Sequence, residues 1–314
     1  MLKEKKISVI LPAYNEAATI GDVIEAMPDY VDRIIVVDDG STDETLDIAE
    51  RKGAEVCRHA TNRGVGAAFS TGMRAALAAR SDITVSIDAD GQFDPRDIGK
   101  LIDPIIDGQV EFVTASRFKD RSLYPEMGRV KFYGNKLMSF VISTMTGQKF
   151  FDVSCGFRAY SRNALLKLNL FSDFTYTQET FLNFAFKRVP IMEVPVMVKG
   201  RREHGSSRVA GNLFRYGYQT VKIIIKTLRD YRPFRLFAAV SLALFIVGLA
   251  FAVFLAIHYS KSGTFTPHKW AGFTAGFLFL LSAMSFILGF ILDMFARMRL
   301  NQEEILFHLE RRRD

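Results

Sequence analysis

Cysteine is nearly missing from this chain: Cys57 and Cys155 are the only two in 314 residues. Two thiols are too few for a disulfide framework or a zinc site, and their scarcity predicts a soluble part that faces a reducing cytoplasm. Tryptophan is scarcer still, with Trp270 alone. Also missing is a G-x-G-x-x-G fingerprint after the first apolar run, where the chain reads P-A-Y-N-E. That argues against a dinucleotide-dependent oxidoreductase. Residues 1–6 are charged and lead straight into a strand pattern, so no secretory signal is expected.

Charge, too, is missing over two stretches. Residues 236–259 hold no Asp, Glu, Lys or Arg, and as a helix they rise about 36 Å against a hydrocarbon core of roughly 30 Å. Residues 270–292 form a second uncharged run, opened by Trp270 at an interface position and closed by Asp293, Arg297 and Arg299. Together they predict a transmembrane hairpin within residues 236–296, with two buried core helices as the bland alternative. The loop between the runs carries Lys261 and Lys269, whereas both outer flanks are rich in arginine. The positive-inside rule therefore places residues 1–211 and the basic tail, 297–314, in the cytoplasm. The formal charge of +7 gathers beside these segments, at Arg229, Arg232, Arg235, Arg297, Arg299, Arg311, Arg312 and Arg313. Membrane lipids explain that placement better than a nucleic acid, and no nucleic-acid partner is expected. Residues 212–235 read as an amphipathic juxtamembrane helix. Leu213, Gly217, Val221, Ile224 and Leu228 lie along one side and Arg215, Lys222, Lys226 and Arg229 along another. Such a helix can also pack on the globular part.

Residues 1–211 are of a different kind. Strands are predicted over residues 7–14, 33–39, 55–59, 83–90 and 111–116, several of them continuous apolar runs of the sort a parallel sheet buries on both faces. Helices fill the gaps. The first shows Ile20, Val23, Ile24 and Met27 at helical spacing, and the second is expected to start with a capping box from Ser41 to Glu44 and stop at Gly53. A third carries Phe69, Met73, Ala76 and Leu77 on one face; a fourth opens with Asp94 as cap and Pro95 as first residue. A later helix around Leu137, Phe140, Val141 and Met145 is assigned to the core, with lipid contact as the other reading. The alternation predicts an α/β fold with a mostly parallel, Rossmann-like sheet, whose ligands bind outside the carboxyl ends of the strands.

Four motifs fall at those ends. P-A-Y-N-E (12–16) can present Tyr14 and Glu16 to a nucleotide, or its Asn and Glu can cap the next helix. D-D-G-S-T-D (38–43) offers Asp39 to a ribose or base, or serves as a turn. N-R-G-V-G (62–66) can aim backbone amides at phosphate, or be an ordinary glycine turn. D-A-D-G-Q (88–92) is the most specific. On an extended chain Asp88 and Asp90 point the same way across Ala89, and hard carboxylate oxygens suit Mg²⁺ or Mn²⁺ bridging a diphosphate, with Gln92 adding a neutral oxygen. The metal would act as Lewis acid and template.

These motifs, with A-S-R-F (115–118), C-G-F-R-A (155–159) and R-E-H-G-S-S-R (202–208), resemble the family 2 glycosyltransferases of GT-A fold. Within these they resemble the polyprenyl-phosphate glycosyltransferases, the group of dolichyl-phosphate mannose synthase, over roughly residues 7–210. The resemblance implies a metal held by Asp88, Asp90 and Gln92, and a nucleotide held by Pro12, Tyr14, Glu16, Val37 and Asp39, with Asn62, Gly64, Asp88 and Ala89 nearby. It implies a lipid phosphate bound by Arg117, Arg129 and Arg202, with Arg208 standing where the motif usually ends in Lys. It also implies inversion at the sugar and self-association through the membrane helices.

Chemistry supports a phosphate acceptor independently. A sugar hydroxyl needs a base, whereas a phosphate monoester with a second pKa near 6 is already largely dianionic at neutral pH and mainly needs guanidinium forks to place it. Glu179 reads as a positioning residue or a helix-start acid. The expected activity is metal-dependent transfer of a hexose from a nucleotide sugar, a UDP-sugar in preference to GDP-mannose, to dolichyl or undecaprenyl phosphate. A nonprocessive transferase using Glu179 as base on a lipid-linked saccharide is the alternative, and a silent nucleotide-binding membrane scaffold the third. A processive polysaccharide synthase needs Q-x-x-R-W, and Trp270 lies inside the second uncharged run.

Overall fold

The computed structural model describes residues 2–170, 176–199, 225–226 and 229–313. Apolar runs become strands in chain order: β1 (Ile7–Ala13), β2 (Arg33–Asp38), β3 (Glu55–Arg58), β4 (Ile83–Ser86), β5 (Phe112–Ser116), β6 (Arg158–Ser161) and β7 (Ile191–Pro195). Every residue of β1, β4 and β5 is buried, as expected of strands covered on both faces. The seven strands form one sheet in the order β3-β2-β1-β4-β6-β5-β7. Neighbours run parallel except at β6, which lies antiparallel between β4 and β5. The mostly parallel sheet is as the sequence predicts; β6 and β7 are additions to it.

The helices of the sheet unit are α1 (Ile20–Glu25), α2 (Thr45–Arg51), α3 (Val65–Ala78), α4 (Ile98–Ile106), α5 (Arg129–Thr146), α6 (Arg162–Lys167) and α7 (Tyr176–Phe186). Asp94 caps as expected, its carboxylate accepting from the Arg96 amide at 3.0 Å, although the first turn from Pro95 is 3-10. The capping box at Ser41 does not form. Glu44 is the N-cap of α2 and makes no side-chain cap bond, while the Ser41 hydroxyl accepts instead from the Asn15 amide at 2.9 Å.

Two further expectations need correction. The fourth strand ends at Ser86, not at residue 90, so Asp88 and Asp90 belong to a turn closed by Gly91 at φ 71° and not to an extended segment. On α5 the core side is formed by Asn135, Met138, Ser139 and Ile142, while Leu137 and Phe140 face outward. The Ser139 hydroxyl is held inside because it accepts from the Val153 amide at 3.3 Å.

Contacts divide the chain into Met1–Gly217 with Phe307–Asp314, and Tyr218–Leu306. The second unit contains α8 (Pro233–Ser262) and most of α9 (Lys269–Arg313). Both are long and apolar enough to cross a membrane, with mean hydropathy of 2.8 and 2.3 over their best windows. They pack as membrane helices do, through small residues and hydrogen bonds. Ser241 and Ser282 exchange hydroxyl-to-carbonyl bonds of 2.9 and 2.8 Å, and Gly248 sits so close to Phe279 that a Cβ would lie 3.1 Å from its ring. The amphipathic helix expected over residues 212–235 falls largely outside the described residues.

Candidate active site

The carboxyl ends of β1 and β2 carry two loops sewn together by polar side chains. Asn15 adopts φ 54°, its amide donates to Ser41 Oγ, and its Oδ1 accepts from the Thr42 amide at 2.8 Å. The Glu16 amide donates to Thr45 Oγ1 at 2.8 Å and the Ala17 amide to Asp43 Oδ2 at 3.2 Å. Asn15 and Ser41, which read as local caps, therefore act across loops. Tyr14 and Glu16 sit half-buried at this rim, whereas Pro12 and Val37, paired in register, are buried beneath it.

Asp39 is a clamp. It is 3% exposed, and its Oδ1 meets His59 Nδ1 at 2.7 Å and accepts from the Arg63 amide at 2.9 Å, while Oδ2 accepts from the Gly64 amide at 2.8 Å. His59 Nε2 continues the chain to Thr71 Oγ1 at 2.9 Å. The amides of Arg63 and Gly64, expected to be open to phosphate, are thus committed to a carboxylate; Asn62 beside them is exposed. Asp38, fully buried, accepts from the Ser41 amide at 3.0 Å. Gly40 joins the two aspartates to the loop at φ 77°, and a Cβ there would lie 2.8 Å from the Thr61 carbonyl carbon. Gly40→Ala should therefore lose more than the about 1–2 kcal/mol of the left-handed conformation alone, because backbone must also move. Hydrogen exchange at the Arg63 and Gly64 amides would report it; unchanged protection there would refute the clamp.

The D-A-D-G-Q turn is anchored from three sides. The Thr19 hydroxyl donates to the Ala89 carbonyl at 2.8 Å, and the Gln92 amide donates to Asp90 Oδ1 at 3.1 Å. The Gln92 side chain donates from Nε2 to the Lys199 carbonyl at 3.0 Å, and the Lys199 amide returns a bond to the Gln92 carbonyl at 3.0 Å. Asp90 is 6% exposed and Asp88 half-buried. The Asp88 carboxylate rests in the space that a side chain at Gly156 would fill: a Cβ there would lie 2.8 and 2.9 Å from its two oxygens. Among the described residues no three carboxylate, histidine or cysteine side chains converge on one point. The donor set is thus two hard carboxylates and the Gln92 oxygen, which fits a cation that takes its remaining ligands from substrate phosphates and water, the habit of Mg²⁺.

Beyond β5, Arg117 is placed differently from the expectation of an open phosphate ligand. It is buried, and its fork grips Asp152: Nε to Oδ2 at 2.6 Å, Nη2 to Oδ1 at 2.8 Å. Nη1 takes no hydrogen bond among the described residues. Asp152 is fully buried, which by itself would raise its pKa, yet the charge and hydrogen bonds of Arg117 hold it below the ordinary 3.8. Burial works against the Arg117 cation, but Asp152 outweighs it and Asp88 adds to the effect, so the guanidinium stays charged beside the D-A-D turn. Glu193 of β7 supports the pair from behind by accepting from the amides of Phe151 and Asp152 at 2.9 and 2.8 Å. Burial pushes the Glu193 carboxyl up from 4.5. Burial, then the charge of Asp152, also pushes the Cys155 thiol up to about 12, leaving it protonated and a poor nucleophile at neutral pH.

Of the other expected residues, Arg129 is exposed at the first position of α5, and Glu179 is half-buried in the first turn of α7. Arg202 and Arg208 lie outside the described residues. His59, Asp152, Gly156 and Glu193 escaped the sequence reading. Only Gly156 carried a signal, as a glycine inside C-G-F-R-A.

Comparison with known proteins bears on this arrangement. Residues 8–168 match the family described as Glycosyl transferase family 2. A UDP-N-acetylglucosamine–dolichyl-phosphate N-acetylglucosaminyltransferase of Methanococcus voltae is 36% identical over 54% of this chain and 74% of its own. An undecaprenyl-phosphate 4-deoxy-4-formamido-L-arabinose transferase of Edwardsiella ictaluri is 28% identical over 83% of this chain and 81% of its own. Among solved structures, the glucosyl-3-phosphoglycerate synthase of Mycobacterium tuberculosis, crystallised with Mn²⁺, UDP-glucose and phosphoglyceric acid, superposes with a TM-score of 0.55. It is 27% identical over 72% of this chain and 79% of its own.

Proposed function

The chain belongs to glycosyl transferase family 2, and from that premise we propose that it transfers a hexose from a nucleotide sugar to the phosphate of a polyprenyl lipid, dolichyl or undecaprenyl. The observation that carries this reading is the D-A-D turn seated on Gly156 at the strand ends, in a chain that also has two helices of membrane length. The named activities of the archaeal and bacterial relatives support a lipid phosphate as acceptor, and the archaeal one, with the UDP-glucose complex, supports a UDP-sugar over GDP-mannose.

Asp88, Asp90 and Gln92 would hold Mn²⁺ or Mg²⁺, which when bound neutralises negative charge on the leaving diphosphate. The sewn loops of residues 12–16 and 38–45 hold Tyr14 and Glu16 at the rim for the nucleotide. Asp39 contributes by fixing residues 59–64. The acceptor phosphate is already ionised, so this chain has no proton to remove, and its task is placement by cations. Arg117 supplies a fixed charge with its Nη1 corner unbonded among the described residues, Arg129 an exposed one, and Arg202 and Arg208 complete the proposed set. Glu179 orients and does not act as base. One phosphate oxygen attacks the anomeric carbon as the bond to the diphosphate oxygen breaks, inverting configuration. The sheet unit and the tail work on the cytoplasmic side.

The test is a transfer assay with the purified full chain, radiolabelled nucleotide sugars and a polyprenyl phosphate. Label should pass into organic solvent, stop with a chelator and return with Mn²⁺ or Mg²⁺. Consumption of the donor without lipid labelling would defeat the acceptor assignment and move Glu179 to the role of base.

A further inference from the structure

Helix α5 is inverted relative to an ordinary surface helix. Its inner side carries polar Asn135 and Ser139 among its buried residues, while Val130, Tyr133, Leu137 and Phe140 are 56, 67, 54 and 68% exposed. These four recur at helical spacing and form one stripe. Among the described residues before 200, the only other large hydrophobics so exposed are Val65 and Met197, each isolated in the sequence. A solvated helix would turn its polar side outward.

Charge borders the stripe on one sign only. α5 contains Arg129, Lys131 and Lys136 and no acid, and the nearest acid ahead of it is Glu126. Lys136 sets its ammonium over the rings of Phe132 and Tyr124, 4.6 and 5.1 Å from their centres, and 3.4 Å from the Tyr124 hydroxyl. The cation rests on an aromatic rim and stays exposed at the edge of the stripe.

We infer that the outward face of α5 rests on an anionic bilayer, with Val130, Tyr133, Leu137 and Phe140 entering the headgroup boundary and the cations meeting lipid phosphates. The occupant is a bilayer because an apolar stripe rimmed by cations alone complements an anionic lipid surface. The same chain, moreover, supplies two helices long and apolar enough to cross such a bilayer. A contact follows from it. Phe132 meets Phe118 edge-on at 5.5 Å, and Phe118 lies under the Arg117 guanidinium at 5.3 Å, so a seated α5 fixes the height of Arg117 above the lipid. The inference does not depend on the reaction proposed above.

The test uses the full chain in nanodiscs rich in phosphatidylglycerol. In a Cys57→Ser background, where the remaining Cys155 is buried, an environment-sensitive fluorophore is attached to Leu137→Cys, Phe140→Cys or Tyr133→Cys. Lys100→Cys on α4 serves as solvent control and Phe273→Cys on α9, 80% exposed, as lipid control. Probes on α5 should lose most of their emission to nitroxide-bearing lipids, as the Phe273 probe does, and little to dissolved acrylamide. Insertion of roughly 5–10 Å predicts stronger quenching by shallow than by deep nitroxides. Replacing the anionic lipid by phosphatidylcholine should weaken quenching on α5 and leave Phe273 unchanged. Quenching by acrylamide alone would show a solvated stripe, and shielding from both quenchers would show a stripe covered by protein, a second copy or another part of this chain. Either result overturns the inference.

Discussion

Replacing Asp152 with alanine is expected to remove about 3–5 kcal/mol of stability from the sheet unit, the loss typical of a buried ion pair broken on one side. The change strips acceptors from the Arg117 amide, Nε and Nη2 and from the Ser154 amide at once. It also leaves a buried guanidinium with Asp88 as its remaining nearby countercharge. Removing both charges with volume kept, as in Arg117→Met with Asp152→Leu, should recover much of the loss, because the desolvation of both ions disappears together. Native-state hydrogen exchange at the amides of β5 and β6 in the full chain measures this without requiring the membrane unit to unfold. If Asp152→Ala were no worse than Asp107→Ala at an exposed carboxylate, the pair would not be holding the strand ends.

The same pair sets an acid limit. The Asp152 pKa lies below 3.8 in the fold, so its contribution is fully present above the unfolded value and disappears as pH falls through the folded one. Glu193 acts with opposite sign: its carboxyl is raised from 4.5, so ionising it costs stability as pH climbs from 4.5 through the raised value. Asp152→Asn should flatten the limb below 3.8 and shrink the Glu193 limb without removing it, because burial, its larger cause, stays when the Asp152 charge goes.

Much of the architecture was legible because it rests on patterns that a single segment contains. The apolar runs of β1, β2 and β4 announce buried parallel strands, and the uncharged runs within α8 and α9 announce membrane-length helices. β6 and β7 escaped because each is short and carries a buried charge. Arg158, wholly buried, donates from Nε to the Cys155 carbonyl and from Nη2 to those of Val153 and Thr177, while the Phe181 ring faces it at 5.1 Å and Nη1 has no hydrogen-bond partner among the described residues. Nothing in R-A-Y-S reveals those partners. The same blindness to distant partners turned Ser41 into a helix cap in the sequence reading, when its real contact is Asn15. On α5 the ordinary rule that large apolar side chains face inward gave the wrong face. The D-A-D motif was found in the right place for a partly wrong reason, since its aspartates are fixed by a turn, Thr19 and Lys199 and not by strand alternation.

Gly156→Ala should weaken divalent-metal binding about 10–100-fold, the range seen when the support of a metal ligand is lost, while Asp88→Ala or Asp90→Ala should remove about 10²–10⁴ of the transfer rate, a few kcal/mol of charge stabilisation. The added methyl carbon would fall within 3 Å of both Asp88 oxygens, a distance no unstrained contact allows. One side must yield. Cys155 and Phe157 on either side of Gly156 are 1 and 0% exposed and locked into the core, so the shorter motion is that of the Asp88 side chain. Mn²⁺ titration followed by electron paramagnetic resonance, in the presence of a nucleoside diphosphate, reads this without turnover. The measurement also separates two roles for Asp88. As a metal ligand, it should lose Mn²⁺ affinity in Gly156→Ala while exchange protection of β5 and β6 stays near that of the parent. As only a countercharge to Arg117, it should lose protection there and leave the titration unmoved, and the metal would then have to be held by Asp90 and substrate oxygens alone.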